Sequence, residues 1–191
     1  MPRWPEDSRE RLVDAALSLF VEHGYAAVTV DDIAARAGVS ARTFFRHFPD
    51  KEEVLFADDD ELLPTLLTAI RGAGGNVTAE EHMTIALSSL GEVLEPQRPR
   101  LRTRQQIIDS HVSLTGRELA KQARWQQSVL TALTETGYAP DDADLLSAIG
   151  FAVFRRSLHS WLADQTGSSL NERVHAALLG VRSVMDVVPA R

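Results

Sequence analysis

The sequence predicts an all-α protein: a three-helix helix-turn-helix domain followed by a C-terminal helical bundle, about nine helices in total. Three observations predict it. Apolar residues recur at helical spacing along most of the chain, and the composition is 44% apolar with only 6% aromatic residues. Residues 29–51 read as two short helices around a glycine turn. A chain of 191 residues suits one domain or a small one joined to a larger one. The division is expected near residue 50, giving domains 1–50 and 51–191.

The first helix opens at Asp7 or Ser8. Leu12, Ala15, Ala16, Leu19 and Phe20 form its apolar stripe, and Gly24 closes it. Arg3, Arg9 and Arg11 lie at or before its start, either solvated or in reach of a phosphate. Thr29 caps the second helix, with Asp32 completing a capping box, and Ile33, Ala34 and Ala37 make its apolar face. Gly38 stops it, since glycine accepts the left-handed conformation of a helix C-terminus. Ser40 caps the third, from Ala41 to about His47, and Pro49 ends it.

At about 100° per residue, Phe44 and Phe48 share one face of that third helix. Arg42, Thr43 and Arg46 fall opposite, flanked by Phe45 and His47. Arginine can bond guanine through two atoms and threonine can touch the thymine methyl, so the face suits a helix that enters the DNA major groove. The same face on an isolated helix would be an ordinary solvated surface. The glycine turn and the helix before it favour DNA.

The net charge of −7 excludes indiscriminate coating of nucleic acid. Residues 36–51, however, carry Arg36, Arg42, Arg46 and Lys51 against Asp50 alone. Local charge at the contacts decides phosphate neutralisation, so one small face is expected to bind.

Asp50 and Glu53 open a fourth helix, continuing as Phe56–Arg71 with Pro64 bending or restarting it. Asp58, Asp59, Asp60 and Glu61 read as a solvated run, lacking the spaced ligands of a calcium loop. Residues 72–76 connect. Thr78 and Glu81 box a helix through Leu94, and residues 96–104, with Arg98, Arg100, Arg102 and Arg104, read as an exposed loop entering a helix. Pairing of these arginines with the acidic run would tie the halves together. Thr115 and Glu118 box the next helix, ending near Thr136 at Gly137. Pro140 begins a long helix through about Asp164, and Ser169 with Glu172 begins the last, through Val188.

At residue level, 8–55 resembles the N-terminal DNA-binding domain of the TetR family of bacterial transcriptional regulators. The match is carried by Phe20, Gly24 and Tyr25, by Thr29-Val30-x-x-Ile33-Ala34-x-x-Ala37-Gly38-Val39-Ser40, and by Thr43-Phe44-Phe45-Arg46-His47-Phe48-Pro49-Asp50-Lys51-Glu52. The resemblance implies that Arg42, Thr43, Phe45, Arg46 and His47 face DNA, with Ser40 and Ala41 at the start of the same helix. It also implies that Thr29 and Lys51 contact backbone phosphates. Phe45 stands where the family usually has tyrosine, and Arg42 where it often has glycine. Both departures bear on sequence preference.

The resemblance further implies a homodimer, joined through the last two helices. Their apolar stripes supply Leu146, Ile149, Val153, Leu158 and Trp161 from one and Val174, Leu178, Val181 and Met185 from the other. Burial of both stripes in the protomer's own core is the competing reading. A small-molecule effector is implied in the C-terminal bundle, with Met83, Leu87, Leu90, Ile107, His111, Trp125, Val129, Phe151 and Phe154 as candidate lining. Plain core packing is the alternative role for each.

The expected function is a sequence-specific DNA-binding regulator, a repressor released by a small hydrophobic ligand. Alternatives are an activator, a ligand-independent DNA-binding protein, and distantly a helical-bundle enzyme. No enzymatic motif supports the last. The chain has no cysteine, and its histidines lack ligand spacing, so no metal and no cofactor is expected. No apolar run is long enough to span a bilayer, and nothing marks export, so a cytoplasmic location is expected.

Overall fold

A computed structural model describes residues 5–57, 59–73, 77–164 and 167–185, with nothing described for the side chains of residues 5–7, 59, 60, 182, 184 and 185. Nine α-helices run through the described residues: α1 (Pro5–His23), α2 (Val30–Arg36), α3 (Ala41–His47), α4 (Asp59–Gly72), α5 (Ala79–Leu94), α6 (Arg98–Asp109), α7 (Val112–Glu135), α8 (Pro140–Ala163) and α9 (Leu170–Met185). Short 3-10 turns stand at Tyr25–Ala27, Glu53–Phe56 and Glu95–Gln97. No helix of the described residues is long and apolar enough to cross a membrane.

Local sequence sets most boundaries. Thr29 with Asp32, and Thr78 with Glu81, form complete capping boxes at the starts of α2 and α5. Ser169 and Glu172 exchange the same two bonds before α9, at 2.9 and 3.1 Å. Gly38 has φ +67°, and the Val39 amide reaches back to the Ala34 carbonyl at 2.9 Å, the bond that closes a Schellman end.

Three expectations about the middle of the chain are corrected. Residues 98–104 are not a loop: Pro96 lies second in the 3-10 turn Glu95–Gln97 and Pro99 lies at the second position of α6, where no helical amide bond is lost. Thr115 does not cap a helix, because α7 begins at Val112. Its hydroxyl donates instead to the Ile108 and His111 carbonyls, at 3.2 and 3.3 Å. Asp50 does accept from the Glu53 amide at 2.8 Å, but that bond opens only the 3-10 turn, and α4 starts at Asp59 and runs unbroken past Pro64.

The chain divides into two units, Met1–Asp59 with Arg102–Glu118, and Asp60–Leu101 with Leu119–Arg191. That differs from a single cut after residue 50. In the first unit Leu12, Phe20, Ile33, Phe44 and Phe48 bury against Leu55, Phe56, Ile108 and Leu114. The apolar residues after position 50 and those flanking the α6–α7 turn therefore belong to the helix-turn-helix core. In the second unit Ile70, Leu90, Leu133, Val153, Trp161, Leu170 and Val174 share another core.

Close backbone approach organises the second unit. A Cβ on Gly150 of α8 would occupy the place of the Met83 methyl, and one on Gly91 of α5 would strike the Asn171 side chain. Arg98 donates to the Trp161 carbonyl and to that of Asp164 at 2.7 Å, and lies 4.9 Å over the Trp161 ring. In the suggested pairing of the arginine run with Asp58–Glu61, the Asp58, Asp59 and Asp60 side chains lie outside the described residues, and Glu61 is exposed. Arg98 and Arg104 are engaged elsewhere, Arg104 on the Leu55 carbonyl and 3.7 Å from Glu118.

Candidate nucleic-acid interface

Within the first unit, α2 and α3 are joined by four residues and held by phenylalanines. Phe44 is 0% and Phe48 1% exposed, whereas Phe45 is 56% exposed. The rings of Phe44 and Phe45 meet edge to face at 5.5 Å, so the exposed ring is braced by the buried one. The angular argument from sequence therefore holds: one face of α3 is core and the other is open.

On the open face, Arg42 and Arg46 are exposed, and neither side chain has a hydrogen bond or ion pair with a described residue. Ser40 accepts from the Thr43 amide at 3.2 Å, and the two hydroxyls lie 3.1 Å apart. Ala41 is half-buried beside them. His47 is half-buried, with Nε2 2.9 Å from Ser8 Oγ on α1. Burial, followed by the positive charges of Arg46 and Arg9, holds its pKa below the ordinary imidazole value. The ring is therefore neutral at physiological pH.

The flanking positions expected at phosphates have work inside the protein. Thr29 is exposed, and its hydroxyl donates to Asp32 at 2.6 Å within the capping box. Lys51 donates to the Tyr25 and Val28 carbonyls, each at 2.9 Å, and lies 4.4 Å over the Tyr25 ring. One of its three N–H donors is left by those two bonds. Arg11 donates to the Ala37 carbonyl at 2.9 Å, while Arg9 bonds the Ala57 carbonyl and lies 5.3 Å over Phe48. Arg36 forms a two-point pair with Glu22, at 3.0 and 2.8 Å, so its charge is balanced locally. Arg3 lies outside the described residues.

Sequence reasoning missed Arg117. From α7 it donates to Glu52 at 2.8 Å, Asp50 at 3.0 Å and Glu53 at 2.7 Å. Burial opposes its charge, but the three carboxylates outweigh that and raise its pKa further. Glu52 also accepts from the Tyr25 hydroxyl at 2.9 Å. Burial and that carboxylate push the phenol pKa up. No spacing rule links position 117 to residues 50–53, because only the fold brings them together.

The candidate effector residues are divided between the units. Ile107 is buried in the first unit's core, and His111 packs its ring against Tyr25 at 4.8 Å. Met83, Leu87, Leu90 and Val129 are buried in the second unit, where Phe151 and Phe154 are half-buried against the same core. Trp125 is half-buried on α7. Among the described residues, no group of three His, Asp or Glu side chains is placed to hold a metal ion.

Several residues expected at a dimer interface lie inside the protomer. Trp161 and Val174 are 0% exposed, and Val153 and Leu178 are buried, all within the protomer's own core. Leu146, Ile149, Leu158 and Val181 are half-buried against that core, and the Met185 side chain is outside the described set. The stripes lie one step around from the open surface.

Comparison with known proteins bears on this geometry. Residues 12–57 match the model of the bacterial regulatory proteins, tetR family. Over 176 residues, 91% of this chain and 88% of the relative, the chain is 24% identical to MftR of Mycobacterium tuberculosis, named as a candidate regulator of mycofactocin biosynthesis. Residues 12–57 are therefore a DNA-binding domain of the TetR type. A second relative, TcmR of Streptomyces glaucescens, is 42% identical over 71 residues, covering 36% of this chain and 31% of TcmR. Among solved structures, SmeT in complex with triclosan superposes with a TM-score of 0.62 at 24% identity, over 96% of each chain. SmeT is the repressor of the Stenotrophomonas maltophilia efflux pump SmeDEF. The fatty acid degradation regulator FadR of Bacillus halodurans gives a TM-score of 0.60 at 22% identity, covering 94% of this chain and 95% of FadR. These likenesses extend the shared fold over both units. No enzymatic family is indicated.

Proposed function

We propose that this TetR-family protein is a homodimeric, sequence-specific repressor released from an inverted-repeat operator by a small hydrophobic ligand. The observation that carries the DNA reading is α3 itself. Two arginines without a partner among the described residues stand on an exposed face whose opposite side is locked by Phe44 and Phe48. A rigid helix with open guanidinium groups suits direct reading of guanine in the major groove. Thr43 and Phe45 complete the face, Phe45 in place of a phenol, so it offers apolar contact to a thymine methyl or sugar. Thr29 and the remaining Lys51 N–H flank it as phosphate contacts.

One such helix binds weakly, and a two-fold pair addressing two half-sites supplies the affinity. The open faces of α8 and α9 support that pairing, with Leu145 60% and Leu179 49% exposed. Ala148 and Ala152 lie beside Leu145, and Ala176 beside Leu179, all exposed at helical spacing. Small residues there let a second pair of helices approach closely. This surface replaces Val153, Trp161, Val174 and Leu178 as the proposed interface.

The ligand reading rests on the half-buried apolar groups of the second unit, Leu62, Leu67, Phe151, Phe154 and Leu158. SmeT, a structural neighbour, is complexed with triclosan. A ligand would act by preferring a dimer conformation whose two reading helices no longer match successive grooves, and its effect is limited by that preference. A cytoplasmic location follows from the same role. Selecting bound fragments from genomic DNA is expected to return an inverted repeat, and adding hydrophobic compounds is expected to release it. A random set of fragments contradicts the reading.

A further inference from the structure

We propose that Arg117, 70 positions beyond the last residue of the reading helix α3, is a positioning residue for DNA binding that neutralises a carboxylate cluster beside that helix. The inference rests on the reading of α3 as the DNA-contacting element.

The segment after α3 is Pro49-Asp50-Lys51-Glu52-Glu53. Three carboxylates in four residues, placed directly after a helix meant to approach phosphates, oppose binding unless they are compensated. The compensating charge comes from α7, not from the adjacent lysine. Lys51 does not pair with its acidic neighbours: it turns inward to the Tyr25 and Val28 carbonyls. Arg117 takes all three acids instead, with Nη1 on Glu52 and Nη2 on both Asp50 and Glu53. Its guanidinium side chain is only 27% exposed, against 45% for Asp50, 31% for Glu52 and 24% for Glu53. A partly buried fork bonded to several acids is screened less by salt than a surface pair.

The contacts also fix geometry. Asp50 caps Glu53, and Glu52 accepts from Tyr25, so the acids are anchored to the helix-turn-helix while their outer oxygens face Arg117. Arg117 thus draws three negative charges toward α7 and away from the flank where phosphates are proposed to lie. It acts through Asp50, Glu52 and Glu53, and touches no DNA.

The test compares Arg117→Gln, Arg117→Lys and the double variant Arg117→Gln with Glu53→Gln on a duplex selected by the native protein. Fold is checked by helical circular dichroism and melting. Arg117→Gln is expected to weaken binding roughly tenfold at low salt, with the deficit narrowing as salt rises because the unmasked repulsion is screened. Arg117→Lys keeps a charge and recovers part of the affinity even if Arg117→Gln folds poorly. Glu53→Gln, which removes one of the negative charges that Arg117 balances, restores much of the rest.

A loss that is the same factor at every salt concentration, or that Glu53→Gln does not relieve, overturns the proposal and leaves Arg117 as a packing residue. Unchanged binding by folded Arg117→Gln overturns it too. Native protein that selects no duplex at all contradicts the DNA reading itself, a different failure from either of these.

Discussion

Ser8 on α1 and His47 at the end of α3 face each other at 2.9 Å, a contact spanning 39 residues that joins the first helix to the reading helix. The imidazole is held below its ordinary pKa, by burial first and then by Arg46 and Arg9. In the folded protein it stays neutral where an unfolded chain takes up a proton. The stability it contributes is therefore full above about pH 6.5 and is lost as pH falls through the lowered native value. Melting curves from pH 8 to pH 5 should show a fall for the native protein that is smaller for His47→Gln, which keeps a partner for Ser8 but cannot titrate. Parallel curves would contradict this.

Phe45 and Phe48 are close in sequence and opposite in role. Phe48→Ala removes a fully buried ring and should cost about 3–5 kcal/mol, seen as a lower melting temperature of the first unit. Phe45→Ala should change stability by about 0.5 kcal/mol or less, because that ring is largely exposed. Its effect should appear in DNA affinity instead.

Arg42 and Arg46 have no described partner to lose, so their replacement by alanine should leave folding and assembly intact. Each is expected to cost about 1–3 kcal/mol against the selected site if it reads a base. Competition between the site and single-base variants distinguishes base reading, which relaxes preference at one position, from phosphate contact, which weakens all sequences alike.

Leu145→Glu with Leu179→Glu should convert the proposed dimer to folded protomers, measured by sedimentation. Trp161→Ala should instead destabilise the second unit, since the indole is fully buried and stacked under Arg98. Dissociation of the dimer by Trp161→Ala without loss of melting temperature would restore the interface expected from the sequence.

The contrast between Trp161 and Leu145 shows how much was legible in the sequence. Helical periodicity shows that α8 has an apolar stripe but not which neighbour covers it. Trp161 and Val153 turn to the protomer's own core, whereas Leu145 with its adjacent alanines remains open. Short-range chemistry was more readable: the Thr29, Ser40 and Thr78 caps and the Gly38 stop depend on residues within five positions. Arg117, Ser8 and the inward turn of Lys51 depend on contacts across more than 20 residues. No local pattern encodes those. The arginine run at 98–104 misled because two prolines read as breakers, whereas each stands in an opening turn.

Binding stoichiometry on a genome-selected duplex tests the central claim most directly. Two protomers per inverted repeat, with affinity falling steeply as salt rises and reduced when Arg46 becomes alanine, is the predicted result. A single protomer that holds random competitor as tightly as any selected fragment would contradict it.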